Sequence, residues 1–438
     1  MTPDRGERTM PLSTRPDFAE FTRAFGRIAL LSFGGPAGQI AVMHRILVDE
    51  KKWVGEPQFL HALNFCMLLP GPEAQQLAIY VGWMLHRARG GLVAGTLFVL
   101  PGLAAIMALS WVYVLAGNLP AIAGLFFGLK AAVVAIVFQA VVRIGRRALR
   151  SRSRIAIAAA AFAALLLLRA PFPLVVLAAG AIGWVTSKSG RSGEEATVVA
   201  SPGRPRWAVP GMLAAAWLAP VALIAWLAPP SSAFPEIATY FSRMAVLSFG
   251  GAYAVLAWVG QTAVDHYHWL APREMLDGLG LAESTPGPLI MVTQYVGFLA
   301  AYRQPGVLPP LLAGTLGGLL TTWVTFVPCF LWVFLGAPHI ERLRSHRALA
   351  AALAAVSAAV VGVILDLAVW FALHYWFGAV GERQWGLIHL PAPVLGSLDR
   401  PALILSLATM AALLRFRIGI PALLAGAAAA GLLTHLLS

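Results

Sequence analysis

The sequence predicts an all-α polytopic membrane protein, an inverted-topology repeat in which broken or re-entrant helices sit among about thirteen membrane segments. Three observations predict it. Hydrophobic residues make up 59% of the 438 and charged residues 12%, too few polar groups to cover a soluble protein of this size. Apolar stretches near spanning length, roughly 17–25 residues, recur from about residue 18 to the last residue. A glycine- and proline-broken pattern at the start also returns in the second half at one fixed separation.

Residues 1–17 are polar and lack the order of a cleaved signal, so they read as a cytoplasmic tail and the first span as its own insertion signal. Residues 18–47 form a first membrane element broken at Gly34-Gly35-Pro36, and residues 57–86 a second, broken at Pro70-Gly71-Pro72. Proline removes a backbone donor and glycine exposes the backbone, so each break frees main-chain groups that must face protein, water or an ion. Spans at about 91–116 and 119–142 follow, then a loop with Arg143, Arg146, Arg147, Arg150, Arg152 and Arg154. A hairpin at about 155–187 turns at Arg169-Ala-Pro-Phe-Pro173, and 188–206 is linker. The first repeat is thus 18–187. Residues 188–235 are a basic linker plus one connecting span, and 236–438 a second, inverted repeat.

The duplication is read from landmarks. Ser32-Phe-Gly-Gly35 matches Ser248-Phe-Gly-Gly251, and the same separation pairs Arg27 with Arg243, Asp49 with Asp265, Trp53 with Trp269, and Pro70-Gly-Pro72 with Pro286-Gly-Pro288. With small shifts, Tyr80-Val-Gly82 pairs with Tyr295-Val-Gly297, Pro101 with Pro328, and Ala131-Ala-Val-Val134 with Ala358-Ala-Val-Val361. One span between the copies makes the second enter from the opposite side. Charge agrees: the arginine-rich loop of the first copy corresponds to a stretch, about 370–400, with only Arg383 and Arg400 against Glu382 and Asp399. The near-chargeless turn at 117–120 corresponds to one with Arg342, Arg344 and Arg347. Positive loops mark the cytoplasmic side, so the amino end is expected inside and the carboxyl end outside. The net charge of +13 is accordingly an orientation signal, and no nucleic-acid partner is expected.

The breaks are the candidate ligand site. A half-helix starting inside the membrane presents unpaired N–H groups and the positive end of its dipole, which suits an anion. In the first copy the candidate binding residues are Gly34, Gly35, Pro36, Ala37, Gly38 and Gln39, with Pro70, Gly71, Pro72, Glu73, Ala74, Gln75 and Gln76. In the second they are Gly250, Gly251, Pro286, Gly287 and Pro288. Arg27, Lys130 and Arg243 supply positive charge; Arg27 is also placed to snorkel at a span end, and Lys130, deep in its span, has a functional or charge-pairing role. Glu73 has two open roles, a dipole cap or a proton carrier, and Glu283 and Asp366 are the proton-coupling candidates of the second copy. Asn64 and Gln294 are further amide donors or interhelical links. Cys66 and Cys329 lie in apolar segments with no disulfide or metal spacing, and His266 and His268 are too small a set for a metal. Without a nucleotide-binding loop, ATP drive within the chain is not supported, and no cofactor and no catalytic residue is expected.

Phe33-Gly-Gly-Pro-Ala-Gly-Gln-Ile-Ala41, Trp53, Phe59-Leu-His-Ala-Leu-Asn64, Cys66-Met-Leu-Leu-Pro-Gly-Pro-Glu-Ala-Gln-Gln76 and Phe98-Val-Leu-Pro-Gly102 resemble the chromate ion transporter family in its long, two-domain form. Ser248-Phe-Gly-Gly251 and Thr285-Pro-Gly-Pro288 are similar to its second domain, so the resemblance covers essentially the whole chain. It implies a secondary transporter that exports chromate across the bacterial inner membrane and confers resistance, with sulfate as the related oxyanion. Uptake of sulfate or another anion, and a non-transport membrane scaffold or enzyme, are the rival readings. Partners expected are the anion, the lipid bilayer and, in a homodimer, a second copy. The second copy has Ala252 for Pro36 and Leu289 for Glu73, so the site is expected to be asymmetric and dominated by the first copy.

Overall fold

The computed structural model describes residues 16–117, 119–187, 208–229, 231–249, 251–337 and 347–437. The expected tail over 1–15, the linker over 188–206, Gly250, and the basic turn with Arg342 and Arg344 lie outside the described residues. Among the described residues, five helices are long and apolar enough to cross a membrane, and three shorter ones are apolar. This is a mostly helical, multi-pass membrane protein.

Helix α1 (Phe18–Leu31) starts where Asp17 accepts a hydrogen bond from the Ala19 N–H at 3.1 Å, and buries Phe21, Ala24, Phe25 and Ile28 on one face. It ends at Ser32, whose hydroxyl turns back on the Ile28 carbonyl at 2.6 Å. Gly34 and Gly35, with φ of 78° and 71°, then reverse the chain into α2 (Gly35–His44), which runs on as a π turn, Arg45–Glu50. The two arms fold back on each other. Lys51 reaches Glu20 at 2.6 Å, which puts the end of the second arm beside the start of the first. Helix α3 (Glu56–Cys66) and the first arm of α4 (Glu73–Ala116) repeat this fold-back around Pro70-Gly71-Pro72. His86, at the end of that arm, packs edge-on to Phe18 and Phe21 at 5.3 and 4.9 Å. Non-helical backbone at His86 and Arg87 turns α4 again, and its long second arm lies against the first with Gly90 on Gly82.

The second copy repeats the pattern with α9 (Phe234–Leu247), α10 (Ala252–Gln261), α11 (Pro272–Ser284), α12 (Val292–Arg303) and α13 (Pro310–Gly336). A short 3-10 turn, Leu289–Met291, precedes α12. Arg303 grips Glu274 at 2.6 Å, so the end of α12 returns to the start of α11. The second arm of α4 and its sequence equivalent α13 run antiparallel. On the second arm of α4, Gly91 faces Phe334 of α13 and Gly95 faces Phe330, while Gly318 faces Met107 and Trp111 donates to Thr315 at 3.0 Å.

Helices α5 (Pro120–Ala148), α6 (Arg152–Leu168) and α7 (Phe172–Ser187) complete the first copy. Helix α8 (Ala208–Leu227) connects, and α14 (Arg347–Trp376), α15 (Arg400–Leu414) and α16 (Ile420–Leu437) close the second. The copies interlock through small residues: Gly362 of α14 meets Ala158 of α6, Gly183 of α7 meets Ala351, and Gly128 of α5 meets Ala427 and Gly431 of α16. One expectation is corrected. The span read as 119–142 continues to Ala148, so Arg143, Arg146 and Arg147 lie in the last turns of α5, where cations are favoured by the helix dipole. A short antiparallel hairpin, β1 (Val380–Trp385) with β2 (Ile388–Pro393), lies between α14 and α15.

Candidate functional site

All four breaks meet, and they meet crosswise. The Gly71 N–H donates to the Ser248 carbonyl at 3.0 Å, and the Gly287 N–H donates to the Ser32 carbonyl at 2.9 Å. Each bond ties the Pro-Gly-Pro of one copy to the Ser-Phe-Gly-Gly of the other, and the two are repeat equivalents. Gly71 (φ 116°) and Gly287 (φ 106°) hold backbone that disfavours any side chain. A Cβ on Gly71 would lie 2.9 Å from Cys329 Sγ, and one on Gly287 would lie 2.9 Å from Gly102 Cα, again equivalent positions. The expectation that these two glycines present free donors is therefore corrected: their N–H groups bind the copies together.

The remaining donors belong to helix starts. Gly34 and Gly35 open α2, Glu73 opens α4, Gly251 caps α10, and Pro288 precedes the turn into α12. The first N–H groups of such helices have no intrahelical carbonyl to meet. Gln39 Nε2 donates to the Gly287 carbonyl at 2.7 Å, and Gln76 Nε2 to the Pro70 carbonyl at 2.6 Å, so both brace the breaks. Among the described residues, Gln75 is fully buried with neither amide atom partnered, and Gln76 Oε1 is also unpartnered. Buried polar atoms left in this state mark a place where water or a ligand belongs. Pro36, Ala37, Gly38, Pro72, Ala74 and Pro286 shape the turns around them.

Glu73 crosses between copies. Its carboxylate oxygens lie 3.6 Å from where a Cβ on Gly251 would stand, at the N-terminus of α10. The residue that distinguishes the first copy thus lies at the break of the second. At the other Gly-Gly break, the Tyr253 hydroxyl stands 3.6 Å from the Cβ position of Gly35 and donates to Glu283 Oε1 at 2.9 Å. Glu283 Oε2 is buried without a partner among the described residues.

The three cations expected at the breaks are not brought there. Arg27 is half-exposed and held by Glu50 at 2.7 Å, at the far end of the α2 arm. Lys130 is buried in an ion pair with Asp277 at 2.8 Å, and Tyr113 donates to the same carboxylate. Arg243 is exposed on α9. Asp366 accepts from Gln261 at 2.6 Å, at the end of α10 away from its break. Tyr253 was missed. Tyr253 and Glu283 stand where the other copy has Ala37 and Met67, and that shared mismatch between repeats was the available signal.

Crosswise-tied helix breaks inside an apolar helical bundle define a multi-pass membrane protein of the transport class. The chain belongs to the chromate transporter family, whose sequence profile matches residues 19–184 and 235–432. It is 27% identical over 413 residues to the chromate transport protein of Cupriavidus metallidurans, covering 94% of this chain and 92% of that one. It is 32% identical over 379 residues to the chromate transport protein of Pseudomonas aeruginosa, covering 82% of each. It is 26% identical over 348 residues to a probable chromate transport protein of Synechococcus elongatus, covering 79% and 82%. No solved structure matches the fold. The family's members are transport proteins, not enzymes.

Proposed function

We propose that this chain is a secondary transporter that exports chromate across the bacterial inner membrane and thereby confers chromate resistance, with sulfate as the competing oxyanion. The reading is carried by the crosswise pair, Gly71 N–H to Ser248 and Gly287 N–H to Ser32, which gathers four interrupted helices at one centre. Family membership supports chromate as the cargo. The anion accepts from the first N–H groups of α2 and α10 and from the Gln75 amide, in place of its hydration shell.

In this reading the paired arms α1–α2, α3 with the start of α4, α9–α10 and α11–α12 are re-entrant hairpins, and nine helices or helix arms cross. The count of crossings falls from about thirteen to nine, and because two hairpins belong to each copy the inversion is kept. The antiparallel run of the second arm of α4 against α13 supports an inverted repeat, with 18–187 and 236–438 as its halves. Arg146 and Arg147 at the end of α5 and Arg415 and Arg417 between α15 and α16 fall on one face, the cytoplasmic one by the positive-inside rule, which leaves the carboxyl end outside. Rocking of one half against the other gives alternating access, and Glu73 and Glu283 carry the coupled proton.

Flux of labelled chromate and sulfate into inside-out proteoliposomes under imposed pH and voltage gradients tests this. Chromate uptake driven by the gradient and competed by sulfate is the expected result. Vesicles that hold the protein and take up neither anion would falsify the reading.

A further inference from the structure

We infer that the buried pair of Lys130 and Asp277, reached from the outer face through a polar cavity beside α5, is the station at which the coupling proton enters the protein. The inference rests on the proton-coupled transport proposed above and adds to it the group that takes the proton up before it reaches Glu283.

Lys130 lies deep in α5 and meets Asp277 Oδ1 of α11 at 2.8 Å, the side chains being 13% and 7% exposed. Tyr113 of α4 donates to Oδ2 of the same carboxylate at 3.1 Å. Apolar residues of similar volume commonly hold two helices as well as a buried ion pair does, so packing does not account for it. A charged pair inside a membrane span is by default a functional site.

A cavity of about 110 Å³ leads to the pair, lined by Ala123, Phe127 and Lys130 of α5, Arg273 of α11, Tyr375 of α14 and Asp399 before α15. Arg273 is exposed and Asp399 half-buried, so it opens where α5, α11 and α15 begin and α14 ends, the outer face in the topology proposed above. A water needs roughly 10–15 Å³ of such space and two to four polar partners, so there is room for several. The wall does not select an anion, because Lys130 and Arg273 are opposed by Asp277 and Asp399. Water suits it, and water carries protons.

Lys130, not Asp277, lines the cavity. A hydronium there gives its proton to Lys130 as Lys130 passes one of its own to Asp277 Oδ1, which leaves water, an ammonium and a neutral carboxyl group. The 2.8 Å hydrogen bond is within reach of that transfer. Six residues farther along α11, about 9 Å toward the breaks, stands Glu283, bonded to Tyr253. The titratable and charged groups that face the pair are Tyr113 from α4, Tyr295 from α12, its ring against Tyr113 at 5.3 Å, Tyr375 from α14 and Asp399. On α11 itself they are Arg273, which donates to the His374 carbonyl at 3.3 Å, and Glu274, held by Arg303 at 2.6 Å. The repeat equivalents of Lys130 and Asp277 are Ser357 and His61, so the ion pair serves one face only.

The test uses inside-out proteoliposomes of the full-length chain with an acid lumen, the voltage held at zero by potassium and its ionophore. A pH difference of one unit sustains about tenfold accumulation of labelled chromate for each proton coupled, and this final level is the first readout. The second is exchange of labelled for unlabelled chromate at equal pH, which needs no net proton movement. Lys130→Met with Asp277→Leu is expected to bring the level down about tenfold, to no accumulation, while exchange continues. A merely structural pair would slow both processes and leave the final level where the wild type has it. A level within about twofold of wild type, or loss of exchange from a double variant that melts with the wild type, overturns the inference and leaves transport standing. The cavity is tested by itself with Phe127→Cys in a Cys66→Ala, Cys329→Ala background. A small impermeant thiol reagent is expected to label it from the face that labels Ser397→Cys, and no reaction from that face overturns the inference even if the double variant is not recovered. Wild-type protein that exchanges chromate but builds no level overturns the coupling alone; wild-type protein that moves none in either assay overturns transport as well.

Discussion

Replacing Gly71 and Gly287 by alanine makes the pseudo-symmetry of the centre measurable. Both have positive φ, so alanine in either place costs about 1–2 kcal/mol in backbone conformation. The contact that the new methyl meets differs. At Gly71 it lies 2.9 Å from Cys329 Sγ and from Gln76 Nε2, two side-chain ends. At Gly287 it lies 2.9 Å from Gly102 Cα and 3.2 Å from Gly102 N, which is backbone of α4. Overpacking adds about 1–3 kcal/mol, nearer the upper figure where only backbone can yield. Gly287→Ala is thus expected to lose about 3–5 kcal/mol and Gly71→Ala about 2–4. Removing the sulfur by Cys329→Ala in the Gly71→Ala background is expected to recover about 1 kcal/mol, because the conformational cost remains. Thermal unfolding in detergent, followed by tryptophan fluorescence, reads the order. Gly71→Ala as the more damaging change, or no recovery with Cys329→Ala, would show that the close approaches do not set the cost.

Lys130→Ala leaves Asp277 buried beside Tyr113 alone and is expected to cost about 3–5 kcal/mol, whereas the double change Lys130→Met with Asp277→Leu should recover most of it; melts of the three proteins decide. Glu73→Gln removes a carboxylate at the start of α10, for about 0.3–2 kcal/mol of stability. If protonation of Glu73 admits the anion, wild-type flux rises as pH falls and the glutamine variant stays at the high level; an unchanged pH profile removes Glu73 from coupling. In a Cys66→Ala, Cys329→Ala background, single cysteines at Ser153 and Ser397 should react with an impermeant maleimide from opposite faces of sealed vesicles, and labelling from one face would end the inverted arrangement. Arg169→Ala breaks an exposed pair with Glu382, 2.7 Å apart, and should move the melting temperature little.

Much of the centre was legible in the sequence, because a glycine forced to positive φ and a proline without a donor leave marks that survive duplication. The fixed separation between Ser32 and Ser248 identified the breaks without geometry. Fold-back was not legible, since a re-entrant arm and half a crossing helix are equally apolar over ten to fourteen residues. Nor was the crosswise pairing: nothing local to Glu73 says that its neighbour is Gly251 and not Gly35. The end of α5 was misread for a different reason: arginines in a row read as a loop, yet Arg143, Arg146 and Arg147 continue the helix. The β1–β2 hairpin carries Gly381, Gly386, Pro391 and Pro393, residues that disfavour strands and so give no strand signal, yet serve an exposed two-stranded ribbon.

The interlocking of α14 with α6 and α7, and of α16 with α5, bears on how such proteins are assembled. A polypeptide carrying one copy alone would strand the Ser32 carbonyl and the Gly71 N–H in hydrocarbon and bare the small-residue flank of its fifth helix. In the inverted arrangement proposed above, the partner that each break requires is supplied by the other half of the same chain, so the two halves fold as one unit.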